Sequence, residues 1–362
     1  MFTNRRLIVW WLVLGCVGIG GLWAVWRIVL ETETAIQPAL VFNWHGGRAG
    51  LDERGAGGPP LGLEDLVAAG VSHVGVPQHN PGDFGHRNYI TQLRDLDIRI
   101  VRTMERRWNA GVDGKDLGAI ILAWESLENP GPFFEAYRRN LLAPCDGIAW
   151  NMEHDILNPA HYPVSAADKE LAALWELEWV NPQEAAYVVF RCRQFALLFQ
   201  MYFAVARRQF PGCNVAIGYS GYGGLPHSGR SLQQAYGCDW EMLGTPLVWR
   251  DQRLEPITHA MCAWHPTVAL PDSALPPPHG LPLLHNIQLA PQLNKVMDNY
   301  RAQVCDRLKR LRPGDGFGLV EYGLRPVWDE EDRTMHQMFG QVMADWRGAG
   351  KCAAVDQVTA KN

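Results

Sequence analysis

The sequence predicts an α/β fold of the (β/α)8 barrel type, preceded by one N-terminal transmembrane helix. Short β-type runs alternate with helical runs about eight times over roughly 300 residues, the pattern of a closed parallel barrel. No G-x-G-x-x-G and no phosphate-binding loop follows the first strand, which disfavours a doubly wound nucleotide-binding sheet. A long apolar run near the N-terminus predicts the membrane helix.

The N-terminal run extends unbroken from Leu7 to Trp26, and about 20 apolar residues span the hydrocarbon core of a bilayer. Asn4-Arg5-Arg6 precede it and Glu31 follows it. Positive charge on the N-terminal flank predicts a cytoplasmic N-terminus and an extracytoplasmic body, periplasmic or extracellular. A cleaved signal peptide is the alternative. The predicted divisions are a cytoplasmic N-terminus (1–6), an anchor (7–30), a linker (31–38), the barrel (39–347) and a tail (348–362).

The elements of the barrel follow from local composition. Apolar runs rich in β-branched residues predict strands, and longer periodic runs predict helices. The interrupted run at 117–139 predicts two helices separated at Asn129-Pro130-Gly131, because proline and glycine end helices. Strands are expected at 39–44, 71–77, 98–103, 146–153, 214–219, 238–243, 257–264 and 316–322. Helices are expected at 63–69, 89–96, 117–139, 182–209, 290–312 and 329–346, and the proline-rich stretch 266–282 is expected to be an exposed loop.

Composition excludes some classes of function. The formal net charge of −5 does not indicate a nucleic-acid partner. The 15 tryptophans serve either core packing or the binding of sugar rings, and both uses stay open. Outside the anchor no two cysteines form a C-x-x-C pair, so we expect buried thiols rather than a zinc site or a disulfide framework. We expect no cofactor and no metal, and the sequence does not indicate a protein partner.

The segment from Asp146 to Glu153 is the most informative one for function. An apolar run opens with Asp-Gly and ends with Asn151 and Glu153, two positions apart. In a β-strand such residues point to the same side. In a barrel, both would lie at the carboxyl-terminal mouth, where barrel enzymes carry out chemistry.

The pattern D-G-x-x-x-N-x-E, here Asp146, Gly147, Asn151 and Glu153, resembles the fourth-strand signature of the endo-β-N-acetylglucosaminidases of glycoside hydrolase family 85. Chitinases and hyaluronidases have a related motif, with Asp at the position of Asn151. The passage from the long helix through Pro211-Gly212 to 218–222 is also similar to hyaluronidases.

The resemblance implies hydrolysis assisted by the substrate's own 2-acetamido group, an exception to the two-carboxylate scheme. It implies that Glu153 acts as acid and then base, that Asn151 holds the acetamido group, and that Tyr219 or Tyr222 contacts the same group. Trp44 and Trp150 are then expected to stack on sugar rings.

Other polar residues at strand ends are expected to line the mouth, Arg102 among them, and the candidates for binding substrate are Asn43, His45, His79 and His265. In the alternative two-carboxylate mechanism, Glu153 is the acid/base and Glu321, on the last strand, is the nucleophile. Such a retaining pair places its carboxyl groups ~5–5.5 Å apart. A non-catalytic carbohydrate-binding barrel is the remaining alternative. The expected partners are therefore a glycan containing N-acetylhexosamine and, through the N-terminal helix, the membrane.

Overall fold

In the computed structural model of the chain, the described residues are 36–43, 63–77, 84–104, 116–151, 157–160, 162–182, 184–220, 237–262, 280–289, 297–321, 330–350 and 352. At a few ends of strands and helices, including Asn151 and Glu321, the description covers the backbone alone. The predicted anchor at 7–30 lies outside these residues and stays a prediction.

Eight parallel strands close into a barrel, which confirms the predicted barrel fold. They follow one another around the barrel in chain order, and the last strand pairs with the first. The barrel strands are β1 (Val41–Asn43), β2 (His73–Pro77), β3 (Arg99–Met104), β4 (Gly147–Asn151), β5 (Val215–Ser220), β8 (His259–Cys262), β9 (Leu283–Leu289) and β10 (Gly316–Glu321). A separate antiparallel pair consists of β6 (Val248–Trp249) and β7 (Gln252–Arg253).

Helices surround the barrel, and the described ones are α1 (Leu63–Ala68), α2 (Phe84–Asp95), α3 (Leu117–Leu122), α4 (Gly131–Asn140), α5 (Ala166–Leu174), α6 (Ala185–Gln209), α7 (Trp240–Gly244), α8 (Met297–Lys309) and α9 (Glu330–Ala349). Two apolar clusters join them to the outer face of the barrel, one beneath α3 to α7 and one beneath α1, α2, α8 and α9. Of the described helices, only α6 is long and apolar enough to cross a membrane, and most of it is buried in the first cluster.

The barrel interior is filled by layers of side chains from alternate strands. Successive members of a layer come from every second strand. Each lies two residues further toward the carboxyl end than the residue in register with the member before it. A full circuit of the barrel therefore advances about eight residues, as the tilt of the strands requires. One layer contains Phe42, Val101, Ile217 and Leu284. The layer above it contains Gly75, Ala149, Met261 and Gly318. Large and small residues interlock, because a Cβ on Gly318 would occupy the space that the Met261 thioether fills.

The sixth and seventh barrel strands differ from the prediction. Residues 238–243 were expected to form the sixth strand, but they lie largely in helix α7, because the Asp239 carboxylate accepts hydrogen bonds from Glu241 N and Met242 N and caps a helix there. The sixth barrel strand is β8, within the range expected for the seventh. The seventh is β9, which the sequence analysis did not predict and which follows the proline-rich stretch.

Two histidines, His73 and His259, lie on opposite sides of the barrel in the layer directly below that of Phe42 and Ile217, which they share with Gly147 and Gly316. His73 is buried and His259 is partly buried. The Nδ1 atoms of His73 and His259 lie 2.9 Å from Ser72 Oγ and Thr258 Oγ1. Burial, followed by the charges of Arg99 and His259, lowers the pKa of His73 to about 4. Burial also lowers the pKa of His259 to about 4. Both rings are therefore neutral in the folded protein at neutral pH.

This pair predicts acid sensitivity between about pH 6.5 and pH 4. In that window the unfolded chain binds protons that the folded histidines do not bind, so stability falls as the pH falls, by about 1.4 kcal/mol per unit of pKa difference for each histidine. Chemical denaturation at pH 7 and pH 4.5 measures the loss. The variant His73→Gln/His259→Gln should show a flatter dependence, and parallel profiles for the two proteins would contradict the assignment.

A disulfide joins Cys305 on α8 to Cys352, just beyond α9, with the two Cα atoms 5.9 Å apart. The disulfide departs from the expectation of buried thiols. Among the other cysteines whose side chains are described, Cys145, Cys192, Cys213 and Cys238 are buried free thiols, as expected. Burial raises the pKa of the Cys192 thiol to about 12, which suppresses its reactivity. The disulfide therefore fastens the closing helix to its neighbour.

Replacing both linked cysteines by serine should destabilise the protein. The two are 47 positions apart in sequence, and closing a loop of that length stabilises by about 4 kcal/mol in the chain-entropy model. Thermal unfolding of Cys305→Ser/Cys352→Ser measures the effect, with Cys192→Ser as a control that leaves the link intact. Reduced wild-type protein should match the double variant, whereas equal melting of reduced and oxidised wild type would refute the stabilising role.

Candidate functional site

The carboxyl-terminal mouth of the barrel is where the sequence places its candidate site. Several of the predicted residues lie outside the part of the chain that the structure describes, and their roles stay predictions: Trp44, His45, His79, Glu153, Tyr222 and His265. The structure does describe Asn43, Trp150 and Tyr219 fully, together with the backbone of Asn151 and Glu321.

Asn151 ends β4 and lies directly opposite Tyr219 of β5 in the parallel ladder. Tyr219 is 4% exposed and packs in the interior cluster with Ile217, Met261 and Ala149. It therefore belongs to the floor of the mouth. Two of the predicted catalytic positions are thus brought together on adjacent strands.

The first two residues of the motif position this strand. The Asp146 carboxylate accepts hydrogen bonds from Arg94 Nη1 and from Ile100 N, both at 2.8 Å. At Gly147 an added Cβ would lie 2.8 Å from the Val215 Cβ and carbonyl oxygen, so a larger residue would push β4 away from β5. The D-G half of the motif is therefore structural, and it sets where the residues at the other end emerge.

Trp150 faces outward from the barrel and packs against α6. Its ring centroid lies 5.2 Å from that of Phe199 in a stacked arrangement and 4.9 Å from that of Phe195. Tyr202 contacts the ring edge-on at 5.0 Å. These contacts join β4 to its covering helix. They engage the Trp150 ring, which was expected to stack on sugar.

Two other candidates lie in the wall between the barrel and its helices. Asn43 is completely buried, with its Nδ2 atom 3.4 Å from His336 Nε2 on α9. Arg102 is also completely buried and donates to the carbonyl oxygens of Leu142, Ala143 and Pro144 at 2.9–3.1 Å. Burial lowers the Arg102 pKa to about 10. These contacts hold the turn that precedes β4, so Arg102 supports the strand from behind.

The segment that follows β4 is fastened by a buried ion pair that the sequence analysis missed. Arg191 and Asp168 are 0% and 1% exposed, and their Nη1 and Oδ2 atoms lie 3.2 Å apart. Gln194 bridges both, and Arg191 Nη2 donates to the Tyr162 carbonyl oxygen at 3.0 Å. The sequence does carry a signal for this ion pair. Arg191 and Gln194 are polar residues three positions apart within the apolar helix α6, and that spacing places them on one face of the helix.

The opposite side of the mouth is formed by β9 and β10. Glu321 ends β10, which lies four strands from β4 in either direction around the barrel. Within the described part of the chain, no group of three or more His, Cys, Asp or Glu side chains could hold a metal ion.

No family model and no curated protein matches this chain. Solved structures do match its fold. An α-L-fucosidase isoenzyme 2 from Paenibacillus thiaminolyticus matches at 13% identity and a TM-score of 0.43, over 85% of this chain and 48% of its own. This chain therefore spans about half the length of that protein.

Two further structures have similar statistics. A sugar phosphate isomerase/epimerase from Parabacteroides distasonis matches at 8% identity and a TM-score of 0.38, over 86% of this chain and 96% of its own. A catalytic module of the pneumococcal exo-β-D-N-acetylglucosaminidase StrH matches at 10% identity and a TM-score of 0.39, over 84% of this chain and 83% of its own. Likenesses at this level carry no argument about activity, which has to come from the site itself.

Proposed function

We propose that this protein is a membrane-anchored glycoside hydrolase that cleaves glycans containing N-acetylhexosamine by a retaining, substrate-assisted mechanism. The observation that carries the proposal is the position of the D-G-x-x-x-N-x-E segment. Its apolar part is β4 of a closed parallel barrel, and Asn151 ends that strand beside Tyr219. Active sites of such barrels are built on the carboxyl ends of their strands.

In the proposed reaction the 2-acetamido carbonyl oxygen of the substrate bonds to the anomeric carbon as the glycosidic C–O bond breaks. Glu153 gives its proton to the leaving oxygen. The resulting carboxylate then takes a proton from water as the water oxygen attacks the anomeric carbon, which restores the acetamido group. Asn151 holds that group and stabilises its developing charge, and the Tyr219 hydroxyl is a second group positioned near it.

The arrangement of strands favours this mechanism over the two-carboxylate alternative. A retaining pair requires carboxyl groups ~5–5.5 Å apart. Glu321 ends β10, four strands from β4, so this mechanism depends on a second carboxylate from a different strand. The substrate-assisted mechanism needs no second carboxylate, and its partner position, Asn151, lies on the same strand.

The location of the protein is part of the proposal. The apolar run at 7–30 anchors the chain, and the barrel faces an extracytoplasmic compartment. The Cys305–Cys352 disulfide supports this location, because structural disulfides form and persist in oxidising compartments. A barrel isolated from cells with both thiols reduced would argue for a cytosolic body instead.

The proposed function is tested by release of reducing ends from paired glycans that differ only in the 2-acetamido group. The full chain is assayed in a detergent without sugar groups, so that the detergent is not a substrate. We expect cleavage of chitin oligosaccharides or other N-acetylhexosamine polymers, and none of matched glucans or galactans. Binding without cleavage across a broad panel would replace the hydrolase with a carbohydrate-binding barrel.

A further inference from the structure

The side-chain amide of Asn286 on β9 is completely buried. Among the residues that the structure describes, neither its Nδ2 nor its Oδ1 atom has a hydrogen-bond partner. An unpaired buried polar atom incurs its full desolvation cost, and native proteins pair the large majority of such groups. An amide with both atoms open therefore points to a ligand that supplies the missing partners.

The direction of this side chain follows from its neighbours on β9. Leu284 packs in the interior cluster, and Ile287 packs in the cluster between the barrel and the helices. Side chains alternate along a strand, so Asn286 points into the barrel. From outside, Arg307 Nη1 donates to the Asn286 carbonyl oxygen and fixes the backbone at this position.

The register places Asn286 at the level of Tyr219, in the floor of the mouth. Tyr219 pairs with Met261, which pairs with Leu284, and Asn286 lies two residues further toward the carboxyl end. Because barrel strands are tilted, a residue so displaced two strands away lies at the same height. The two polar side chains thus belong to one layer, directly above the layer of Gly318 and Met261.

The layer beneath leaves room for adjustment. Gly318 is the register partner of Asn286 on β10, and the flexible thioether of Met261 fills the space that a side chain there would occupy. Methionine adapts its shape more readily than branched residues do. The Met261 side chain can therefore shift when a polar group from the mouth approaches the Asn286 amide.

We propose that Asn286 binds neighbouring hydroxyls of the sugar ring on the edge opposite the 2-acetamido group, and so helps to select the sugar. This inference rests on the proposed function, which places the acetamido group at Asn151. β9 lies three strands from β4, so Asn286 faces the far edge of a ring held there. One hydroxyl donates and accepts, and an adjacent pair matches the donor and acceptor of one amide.

The test combines ligand and protein changes. Binding of N-acetylglucosamine and N-acetylgalactosamine, and of the 3-, 4- and 6-deoxy forms of N-acetylglucosamine, is measured by calorimetry on the full chain in a detergent without sugar groups. For Asn286→Leu we expect Kd for the sugar that wild type prefers to rise about tenfold or more. In wild type, removing a ring hydroxyl that Asn286 contacts should raise Kd. In Asn286→Leu we expect this rise to disappear for at least one hydroxyl, because the variant no longer contacts that hydroxyl.

Stability separates this binding role from a structural one. Asn286→Leu should melt at or above the wild-type temperature, because it removes an unpaired buried amide. The matched control is Gln200→Leu, since the buried Gln200 amide is paired to Thr245 O and Leu247 N. That variant should lose stability and keep its affinity for sugar.

Each failure has its own signature. Suppose that wild type binds and cleaves acetamido sugars, and that Asn286→Leu has the same affinity and the same loss of affinity for each deoxy sugar. This result would overturn the inference and leave the proposed function standing. Lower affinity with all hydroxyl penalties unchanged, but with the preference for acetamido sugars lost, would assign Asn286 to the acetamido group and overturn the hydroxyl role. Wild type that neither binds nor cleaves any acetamido sugar would remove the proposed function, and this inference with it.

Discussion

Glu153→Gln should lower kcat/KM for the cleaved glycan by about 10²–10⁴, the usual contribution of a positioned general acid or base. The amide keeps the size of the carboxyl group but cannot give a proton to the leaving oxygen. Reducing-end release under saturating and limiting substrate separates a loss of kcat from a change of KM. The melting temperature should stay at the wild-type value, because the change is isosteric.

Two companion variants identify the mechanism behind that loss. Asn151→Ala should also remove most activity on acetamido substrates, because it removes the amide that holds the attacking acetamido group and stabilises its developing charge. Glu321→Gln is the matched control, an isosteric change on the opposite strand, and should retain most activity. If Glu321→Gln is as inactive as Glu153→Gln while Asn151→Ala still turns over, the nucleophile is a carboxylate and the substrate-assisted mechanism is wrong.

Asp168→Ala should destabilise the protein by about 3–5 kcal/mol, because it leaves the Arg191 guanidinium buried without its counter-charge. Both side chains are excluded from solvent, and Gln194 Nε2 donates to Asp168 Oδ1 at 2.7 Å. Denaturant unfolding measures the loss. Replacing Asp168 and Gln194 by Leu together with Arg191→Met should recover much of it, since buried ion pairs are often replaceable by apolar groups of similar volume.

A partly exposed ion pair on a neighbouring helix provides the control for this prediction. Arg138 and Glu135 on α4 lie 2.8 Å apart, with side chains 39% and 29% exposed. Glu135→Ala should therefore change stability by no more than ~1 kcal/mol, as solvent-accessible pairs usually do. Equal losses from Glu135→Ala and Asp168→Ala would show that burial of the charge is not the cause.

The buried pair also bears on activity. Arg191 Nη2 donates to the carbonyl oxygen of Tyr162, within the segment that continues from β4. The Asp168 and Ser165 side chains form a reciprocal cap at the start of α5, and Ser165 Oγ donates to Asp116 at 2.8 Å. Loss of Asp168 therefore loosens the contact that holds Tyr162, in the chain segment between β4 and α5. We expect the variant to lose activity at temperatures at which it is still folded.

Local patterns predicted most of the elements, because most of them satisfy their own periodicity. The helix expected at 182–209 is α6 (Ala185–Gln209), and the break at Pro130 separates α3 from α4 as expected. β9 was missed because His285 and Asn286 interrupt its apolar run, and those residues are explained only by what surrounds them in the barrel.

Residue order along the chain is enough to predict the barrel and the β4 segment, and it also predicts that Asn151 and Glu153 point to the same side. Those features depend on the order of residues within a few positions, so local sequence patterns are sufficient to predict them. Three other relations follow from the folded structure alone: Trp150 packs against α6, Arg191 pairs with Asp168, and Asn286 lies in one layer with Tyr219. These relations join positions far apart in the chain, and the closure and tilt of the barrel, rather than any local pattern, set which of them meet.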